Sequence, residues 1–162
     1  MMINSMMHEL PVPSVGRLFR SRIPGPFMTV AELLDIWESE GVTLVVPLME
    51  GLDYAEFGVS DMPGHVAERS WRCHLLPIPD GGVSTAQQMS ELIDVIHNEL
   101  SEGGGVLVHC IGGRGRTGLA LACYAVRHLN MEAEEAIEWV REHSLPGSLE
   151  TTTQEQFVRE FN

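Results

Sequence analysis

A cysteine followed by a short glycine-rich stretch and an arginine is the part of this sequence best suited to chemistry. The string HCIGGRGRTG runs from His109 to Gly118. Successive backbone N–H groups in a glycine-rich turn converge on an anion without side-chain bulk, and an arginine can hold two phosphate oxygens at once. The spacing therefore predicts a loop that binds the phosphate of a phosphomonoester. The residues expected to contact this phosphate are Ile111, Gly112, Gly113, Arg114, Gly115 and Arg116.

The first residue of the loop has the surroundings of a nucleophile. A free thiol is mostly protonated at neutral pH, whereas a helix N-terminus with cationic neighbours favours the reactive thiolate. We predict that the sulfur of Cys110 attacks phosphorus and forms a phosphocysteine intermediate. Thr117 can hydrogen-bond to the sulfur when it departs. His109 is expected to orient the loop rather than to transfer protons.

A departing ester oxygen needs a proton, so a carboxylic acid is expected on a separate loop above the phosphate. Asp80 lies in the sequence IPDGG, directly after an expected strand. It is therefore the candidate general acid. Pro-Asp-Gly is also a common turn sequence, so a purely structural role for Asp80 stays open.

The strands that must position these residues are short apolar runs. Residues 42–48 and 106–110 are apolar without alternation, which is typical of strands covered on both faces of a sheet. Pro47 is expected to end the first of them. Two further strands are expected, at 16–22 and 71–78.

The helices are marked by capping boxes and by helical spacing of apolar residues. Thr29 with Glu32, and Ser84 with Gln87, each predict a helix start. Further helices are expected at about 117–129, 132–143 and 151–161. Strands that alternate with helices predict an α/β fold with a central, mostly parallel sheet flanked by helices.

Two segments have no predicted regular structure. Residues 1–15 lack a hydrophobic period and are expected to form an N-terminal arm that is partly flexible or packs late. Residues 50–70, rich in Gly, Asp and Glu, are expected to form a long surface loop. The remaining chain, residues 16–162, has the length of one domain.

Charge and cysteine content limit the possible partners and location. The net charge of −13 argues against a general nucleic-acid or anionic-membrane surface. The three cysteines have no paired spacing, which indicates neither a disulfide framework nor a zinc site. No apolar run reaches the roughly 20 residues of a membrane span. We expect a cytoplasmic monomer that binds neither nucleic acid nor membrane.

The motif and its context resemble the protein tyrosine phosphatase superfamily. His-Cys, five residues and Arg-Thr form the signature of that superfamily, and the stretch from about Arg17 to Phe161 looks like its dual-specificity branch. The segments PIPDGG, VLVHCIGGRGRTG and SLETTTQEQFVREF agree in order and spacing with the kinase-associated phosphatases of that branch and their microbial relatives. The resemblance implies the cysteine-phosphatase fold.

The resemblance also implies roles for individual residues, and it implies neither a metal nor a cofactor. In the family tail a glutamine often lies near the pocket and helps to position water, and Gln154 stands at the matching place. The other implied roles are nucleophile for Cys110, binder of phosphate and transition state for Arg116, general acid and then base for Asp80, and helper hydroxyl for Thr117.

Three functions remain open from the sequence. The leading one is hydrolysis of protein phosphotyrosine, with phosphoserine and phosphothreonine as further substrates, so the expected partner is a phosphorylated protein. Arg114 stands where protein phosphatases commonly have an apolar residue. It leaves open a small or non-protein substrate such as an inositol phosphate, a phospholipid head group or an RNA 5′ end. The third function is phosphate binding without turnover, which would need neither a nucleophile nor an acid.

Overall fold

The computed structural model describes the backbone of residues 2–4 and the whole of residues 6–162. The strands in this part of the chain are β1 (Met2–Asn4), β2 (Met7–Leu10), β3 (Arg17–Ser21), β4 (Leu44–Pro47), β5 (Arg72–Cys73) and β6 (Gly105–His109). The helices are α1 (Val30–Ser39), α2 (Gly51–Glu56), α3 (Met62–Ala67), α4 (Ala86–Ser101), α5 (Gly115–His128), α6 (Ala133–His143) and α7 (Thr152–Glu160). None of these helices is long and apolar enough to cross a membrane.

The strands form one sheet in the order β1-β2-β3-β6-β4-β5. The pairs β3–β6, β6–β4 and β4–β5 are parallel, whereas β1–β2 and β2–β3 are antiparallel. The predicted α/β fold with a mostly parallel sheet is therefore confirmed. The phosphate-loop sequence follows β6, so it starts at the carboxyl edge of the sheet, where ligands of open α/β sheets bind.

The apolar runs are buried as their composition predicts. Every residue of β4 and of β6 is buried, and β4 ends at Pro47 as expected. Helix α5 is buried over its first eleven residues and contacts α4, α6 and α7. The start of this helix, which carries the site, is therefore held on several sides.

One of the two predicted capping boxes is correct and the other is displaced by one residue. Thr29 Oγ1 accepts a hydrogen bond from Glu32 N, and Glu32 Oε2 accepts one from Thr29 N. The second box consists of Thr85 and Gln88, not Ser84 and Gln87. The sequence STAQQ offers two overlapping boxes, and the helix uses the second.

The strand expected at 71–78 is limited to Arg72–Cys73, so that prediction was wrong in extent. The following segment still runs beside β4, with His74 N donating to Val45 O at 3.0 Å. Pro47 has no N–H with which to donate back. The ladder therefore ends early although the chain stays extended.

The expectation of a surface loop at 50–70 was wrong. This segment contains helices α2 and α3, which bury Asp53, Tyr54, Met62 and Val66. Glu50 and Asp53 form a capping box at the start of α2. Some of the Gly, Asp and Glu residues that indicated a loop, such as Glu50, Gly51 and Asp53, in fact form the start of α2.

The N-terminal segment joins the sheet instead of forming a separate arm over all of residues 1–15. Strand β2 pairs with β3 from Met7 opposite Ser21 to Leu10 opposite Leu18. Met7 and Leu10 are buried, which supplies the hydrophobic contact that holds the strand. Met1 and Ser5 lie outside the described residues.

Candidate active site

The phosphate loop connects the carboxyl end of β6 to the start of α5. The helix begins at Gly115, two residues before the predicted start. Gly113 has a φ of 74°, a conformation that favours glycine. Among the described residues, the N–H groups of 111–116 have no backbone acceptor. A ring of free donors at a helix N-terminus is an anion-binding arrangement.

Cys110 and Thr117 are brought together by this loop. The Cys110 side chain is only 3% exposed. Thr117 Oγ1, on the first turn of α5, donates a hydrogen bond to Cys110 Sγ at 3.1 Å. This contact is the one expected of a hydroxyl that stabilises a sulfur anion.

The three cysteine thiols differ in their surroundings. All are free, and burial raises the pKa of the Cys123 thiol and of the Cys73 thiol. Within the part of the chain that the structure describes, no hydroxyl donates a hydrogen bond to either of these two sulfurs, unlike the sulfur of Cys110. No group of three or more His, Cys, Asp or Glu residues in the described chain is arranged to hold a metal ion.

Arg116 is held by a carboxylate that the sequence did not reveal. The guanidinium is 1% exposed, and its Nη1 donates to Asp53 Oδ2 and to Ile78 O, both at 2.8 Å. Asp53 lies on α2, in the segment expected to be a loop. The capping box that begins with Glu50 was the only local signal for a helix there, and it carries no information about Arg116.

Asp80 lies at the open side of the same guanidinium. Its Oδ1 is 3.6 Å from Arg116 Nη2, and its side chain is 75% exposed. The turn that carries it is closed by Gly82 N donating to Pro79 O at 2.8 Å. Asp80 can therefore reach a group bound at the mouth of the loop.

The first turn of α7 holds the turn that carries Asp80. Thr151 Oγ1 donates to Gly81 O at 2.9 Å, and Gln154 Nε2 donates to Gly82 O at 3.2 Å. Gln154 Oε1 accepts from Glu150 N at 2.9 Å. Gln154 is fully buried, and a Cβ at Gly115 would lie 3.3 Å from its Nε2. It thus lies between the acid turn and the phosphate loop.

His109 lies behind the loop rather than in the anion site. Its Nδ1 is 3.3 Å from Cys110 O, and its ring packs on Trp37 with the ring centroids 5.5 Å apart. Burial, with a smaller effect from the Arg116 charge, lowers the pKa of His109 to about 4. The imidazole is therefore neutral at neutral pH.

Curated relatives match about half of the chain or more. A segment of 86 residues is 44% identical to an uncharacterized protein, MJECL20, of Methanocaldococcus jannaschii, and covers 53% of this chain and 56% of that protein. Dual specificity protein phosphatase CDC14B of Mus musculus is 38% identical over 52% of this chain and 16% of its own length. Protein tyrosine phosphatase domain-containing protein 1 of Bos taurus is 30% identical over 80% of this chain and 17% of its own length.

Solved structures with the same fold cover nearly all of the chain. The kinase associated phosphatase with its catalytic cysteine replaced by serine superposes with a TM-score of 0.82 over 98% of this chain and 95% of that chain, at 20% identity. This likeness shows the fold alone. Tk-PTP in its active form superposes with a TM-score of 0.72 over 93% of this chain and 97% of that chain, at 28% identity. The fold implies a cysteine nucleophile.

A family model assigns the chain more directly. The model described as "PTP-SAK: Swiss Army Knife protein, DSP-PTPase phosphatase domain" matches residues 29–158. This range includes the acid turn, the phosphate loop and the first turn of α7. Because the match covers more than half of the chain, the protein belongs to the Swiss Army Knife family of dual-specificity-type protein tyrosine phosphatase domains.

Proposed function

We propose that this domain hydrolyses phosphomonoesters, with protein phosphotyrosine as the main substrate and phosphoserine or phosphothreonine as further ones. The observation that supports it most is the contact of Thr117 Oγ1 with Cys110 Sγ at the start of a loop of free N–H donors. Such a loop can hold the three charged oxygens of a phosphate directly above the sulfur. This is the arrangement that nucleophilic catalysis at phosphorus needs.

In the first step the thiolate of Cys110 attacks phosphorus. The S–P bond forms as the ester P–O bond breaks, and Asp80 gives its proton to the departing oxygen. The N–H groups of 111–116 and the guanidinium of Arg116 stabilise the charge on the equatorial oxygens. Asp53 occupies Nη1 of Arg116, so Nη2 and Nε are the donors left for phosphate.

In the second step water hydrolyses the phosphocysteine. Asp80, now a carboxylate, takes a proton from the attacking water, and the S–P bond breaks to release inorganic phosphate and the thiolate. Thr117 Oγ1 donates to the departing sulfur. The two backbone contacts of Gln154 support a role in holding the acid turn, beside the water-positioning role that the family resemblance implies.

The surface beside the phosphate loop supports a protein substrate. A groove of about 630 Å³ is lined by Ile111 and Gly112 of the loop and by the apolar residues Pro24, Pro26 and Phe57. Phe57 is 48% exposed. Residues on either side of a phosphorylated tyrosine can lie in such a groove, whereas a small phosphate ester has no apolar chain to place there. The mouse relative, dual specificity protein phosphatase CDC14B, supports the same substrate class.

Two exposed arginines favour a small polyphosphate as the second candidate substrate. Arg22 and Arg114 have no ion pair with any of the described carboxylates, although the chain is strongly acidic overall. Both are close enough to Arg20 to lower its pKa. A second phosphate on an inositol ring could be held by such cations. Arg22 also lines the groove assigned to the first candidate, so the two candidate substrates would share this part of the surface.

The test is steady-state hydrolysis of para-nitrophenyl phosphate with EDTA present, by wild type, Cys110→Ser and the control Cys73→Ser. We expect turnover to be lost in Cys110→Ser and kept in Cys73→Ser, since Cys73 lies on β5. A panel of phosphotyrosine peptide, phosphothreonine peptide and inositol polyphosphate then compares kcat/KM. A preference for inositol polyphosphate would overturn the protein assignment. A folded wild type that binds phosphate without turnover would support the binding module instead.

A further inference from the structure

Arg20 is a buried cation that has no carboxylate partner in the described chain. It lies on β3 and is 1% exposed. Its Nη1 donates to Met6 O at 3.4 Å, its Nη2 contacts Nδ1 of His8, and its Nε has no hydrogen-bond partner. A buried charge without an opposite charge is strongly unfavourable. Some other group must therefore balance it.

The position of Arg20 places it under the phosphate loop. In the sheet it lies opposite Val108, and the next residue, Ser21, lies opposite His109, which precedes Cys110. A Cβ at Gly113 would lie 3.1 Å from Arg20 Nη1. The glycine therefore leaves room for the guanidinium as well as permitting the positive φ of the turn.

Among the described residues, Cys110 is the group whose negative charge favours the protonated form of Arg20. Burial lowers the pKa of Arg20 to about 10, Cys110 opposes this shift, and Arg22 and Arg114 add to it. With a pKa of about 10 the guanidinium remains protonated at neutral pH. The Arg20 guanidinium and the Cys110 sulfur therefore carry opposite charges when the thiol is ionised, and each charge stabilises the other.

We infer that Arg20 is a positioning residue whose charge stabilises the thiolate of Cys110 in the free enzyme and supports the phosphate loop from below. His8 of strand β2 and the carbonyl of Met6, directly before that strand, hold the guanidinium. The inference rests on the proposed nucleophilic role of Cys110. It gives the N-terminal hairpin a part in the chemistry, although β2 lies two strands away from the loop.

Several other groups act on the same sulfur, and the experiment must separate them. Thr117 donates to it directly. The Arg116 cation is paired with two carboxylates, and the His109 imidazole is neutral above pH 4. The charged or titratable groups around the phosphate loop and Arg20, among the described residues, include His8, Arg22, Asp53, Asp80, His109, Arg114, Arg116 and Glu150, whose Oε1 would lie 2.7 Å from a Cβ at Gly115.

The experiment follows alkylation of Cys110 by iodoacetamide as a function of pH. A Cys73→Ser background removes the exposed thiol, and peptide mass spectrometry identifies the modified cysteine. We expect the midpoint of alkylation to rise by about one pH unit in Arg20→Met, which is about tenfold less reaction at pH values below the midpoint. Arg20→Lys should keep most of the wild-type behaviour. Arg17→Gln, an exposed arginine of the same strand, is the control and should leave the midpoint unchanged.

An unchanged midpoint in folded Arg20→Met overturns the inference. Should this variant fail to fold, Arg20→Gln decides, because its amide removes the charge and can still donate a hydrogen bond to the acceptors around Arg20. A midpoint that rises in Arg20→Gln supports the inference, and an unchanged one contradicts it. Alkylation requires no turnover, so a wild type that is alkylated normally but hydrolyses nothing would contradict the phosphatase proposal alone.

Discussion

Two arginines are equally buried beside the phosphate loop, but their charges are balanced in different ways. Arg116, on α5, has Asp53 and Asp80 beside it. Arg20, on β3, has a backbone carbonyl and a histidine nitrogen instead. A carboxylate orients a guanidinium but also offsets its positive charge. Neutral acceptors orient the guanidinium without offsetting that charge, so the full charge remains to stabilise a nearby anion. We therefore expect Arg116 to contribute mainly the geometry of phosphate binding and Arg20 mainly the electrostatic field at the Cys110 thiolate.

The largest expected effect tests the geometric role of Arg116. Arg116→Lys keeps the charge but loses the planar fork that can bind Asp53 and phosphate together. We expect kcat/KM for para-nitrophenyl phosphate to fall by about a thousandfold. Arg20→Lys, which keeps the charge at the other site, should lose less than about fivefold. Equal losses of kcat/KM in the two lysine variants would contradict the assignment of a geometric role to Arg116 and an electrostatic role to Arg20.

The pKa of His109 distinguishes the two arginines, because the charge of Arg116 contributes to its shift and the charge of Arg20 does not. The folded pKa of about 4 is below the ordinary 6.5, so the fold favours the neutral ring. The resulting stability is fully present above pH 6.5 and is lost as the pH falls towards 4. We expect the free energy of unfolding to drop by about 3 kcal/mol across this window from His109 alone.

Urea unfolding at several pH values, in wild type and His109→Gln, measures this contribution. The variant has no imidazole to protonate, so its unfolding free energy should depend less on pH between 6.5 and 4. Parallel curves for the two proteins would show that His109 does not titrate differently in the folded state. Other titrating groups contribute equally to both proteins, which makes the difference between the curves the relevant quantity.

Asp53 tests whether a carboxylate is needed to orient Arg116. Asp53→Asn keeps an oxygen acceptor and removes the charge, so Arg116 should be held less firmly while its field increases. We expect kcat/KM to fall by about tenfold because orientation is lost, with the affinity for inorganic phosphate changed less. Glu56→Gln, an exposed carboxylate of the same helix, is the matched control. A rise in kcat/KM in Asp53→Asn would mean that the strength of the Arg116 charge, and not the orientation of its guanidinium, limits catalysis.

The residue spacing predicted the contiguous loop, and the turn sequence and the family resemblance pointed to Asp80 and Gln154, but nothing in the sequence pointed to the long-range contacts of Asp53 and Arg20. Cys110, Arg116 and Thr117 lie within eight residues, so their spacing alone predicts the chemistry of the loop. Asp53 is 63 residues from Arg116, and Arg20 is 90 residues before Cys110. Their roles depend on strand order and on the packing of a short helix, for which no local pattern exists.

The fold shows the same division between local and long-range information. Buried strands and long helices follow from composition and period, so the parallel sheet was predictable. Strand β5 was expected to be longer because its apolar residues do not reveal that the neighbouring Pro47 lacks a donor. Residues 7–10 were left out of the sheet because four residues are too few to show a period. Only their pairing with β3 identifies them as a strand.

The smallest expected effect concerns the hydroxyl that holds the acid turn. Thr151 Oγ1 bonds Gly81 O and also caps α7, so Thr151→Val loosens the turn that carries Asp80. We expect kcat/KM, which reports on the step that cleaves the ester, to fall by about fivefold for phenyl phosphate, whose phenolate is a poor leaving group, and by less for para-nitrophenyl phosphate. Thr151→Ser keeps the hydroxyl and should behave as wild type. Equal losses on both substrates would place the effect of Thr151 in the phosphate loop, beside Arg116, and not in the delivery of the proton by Asp80.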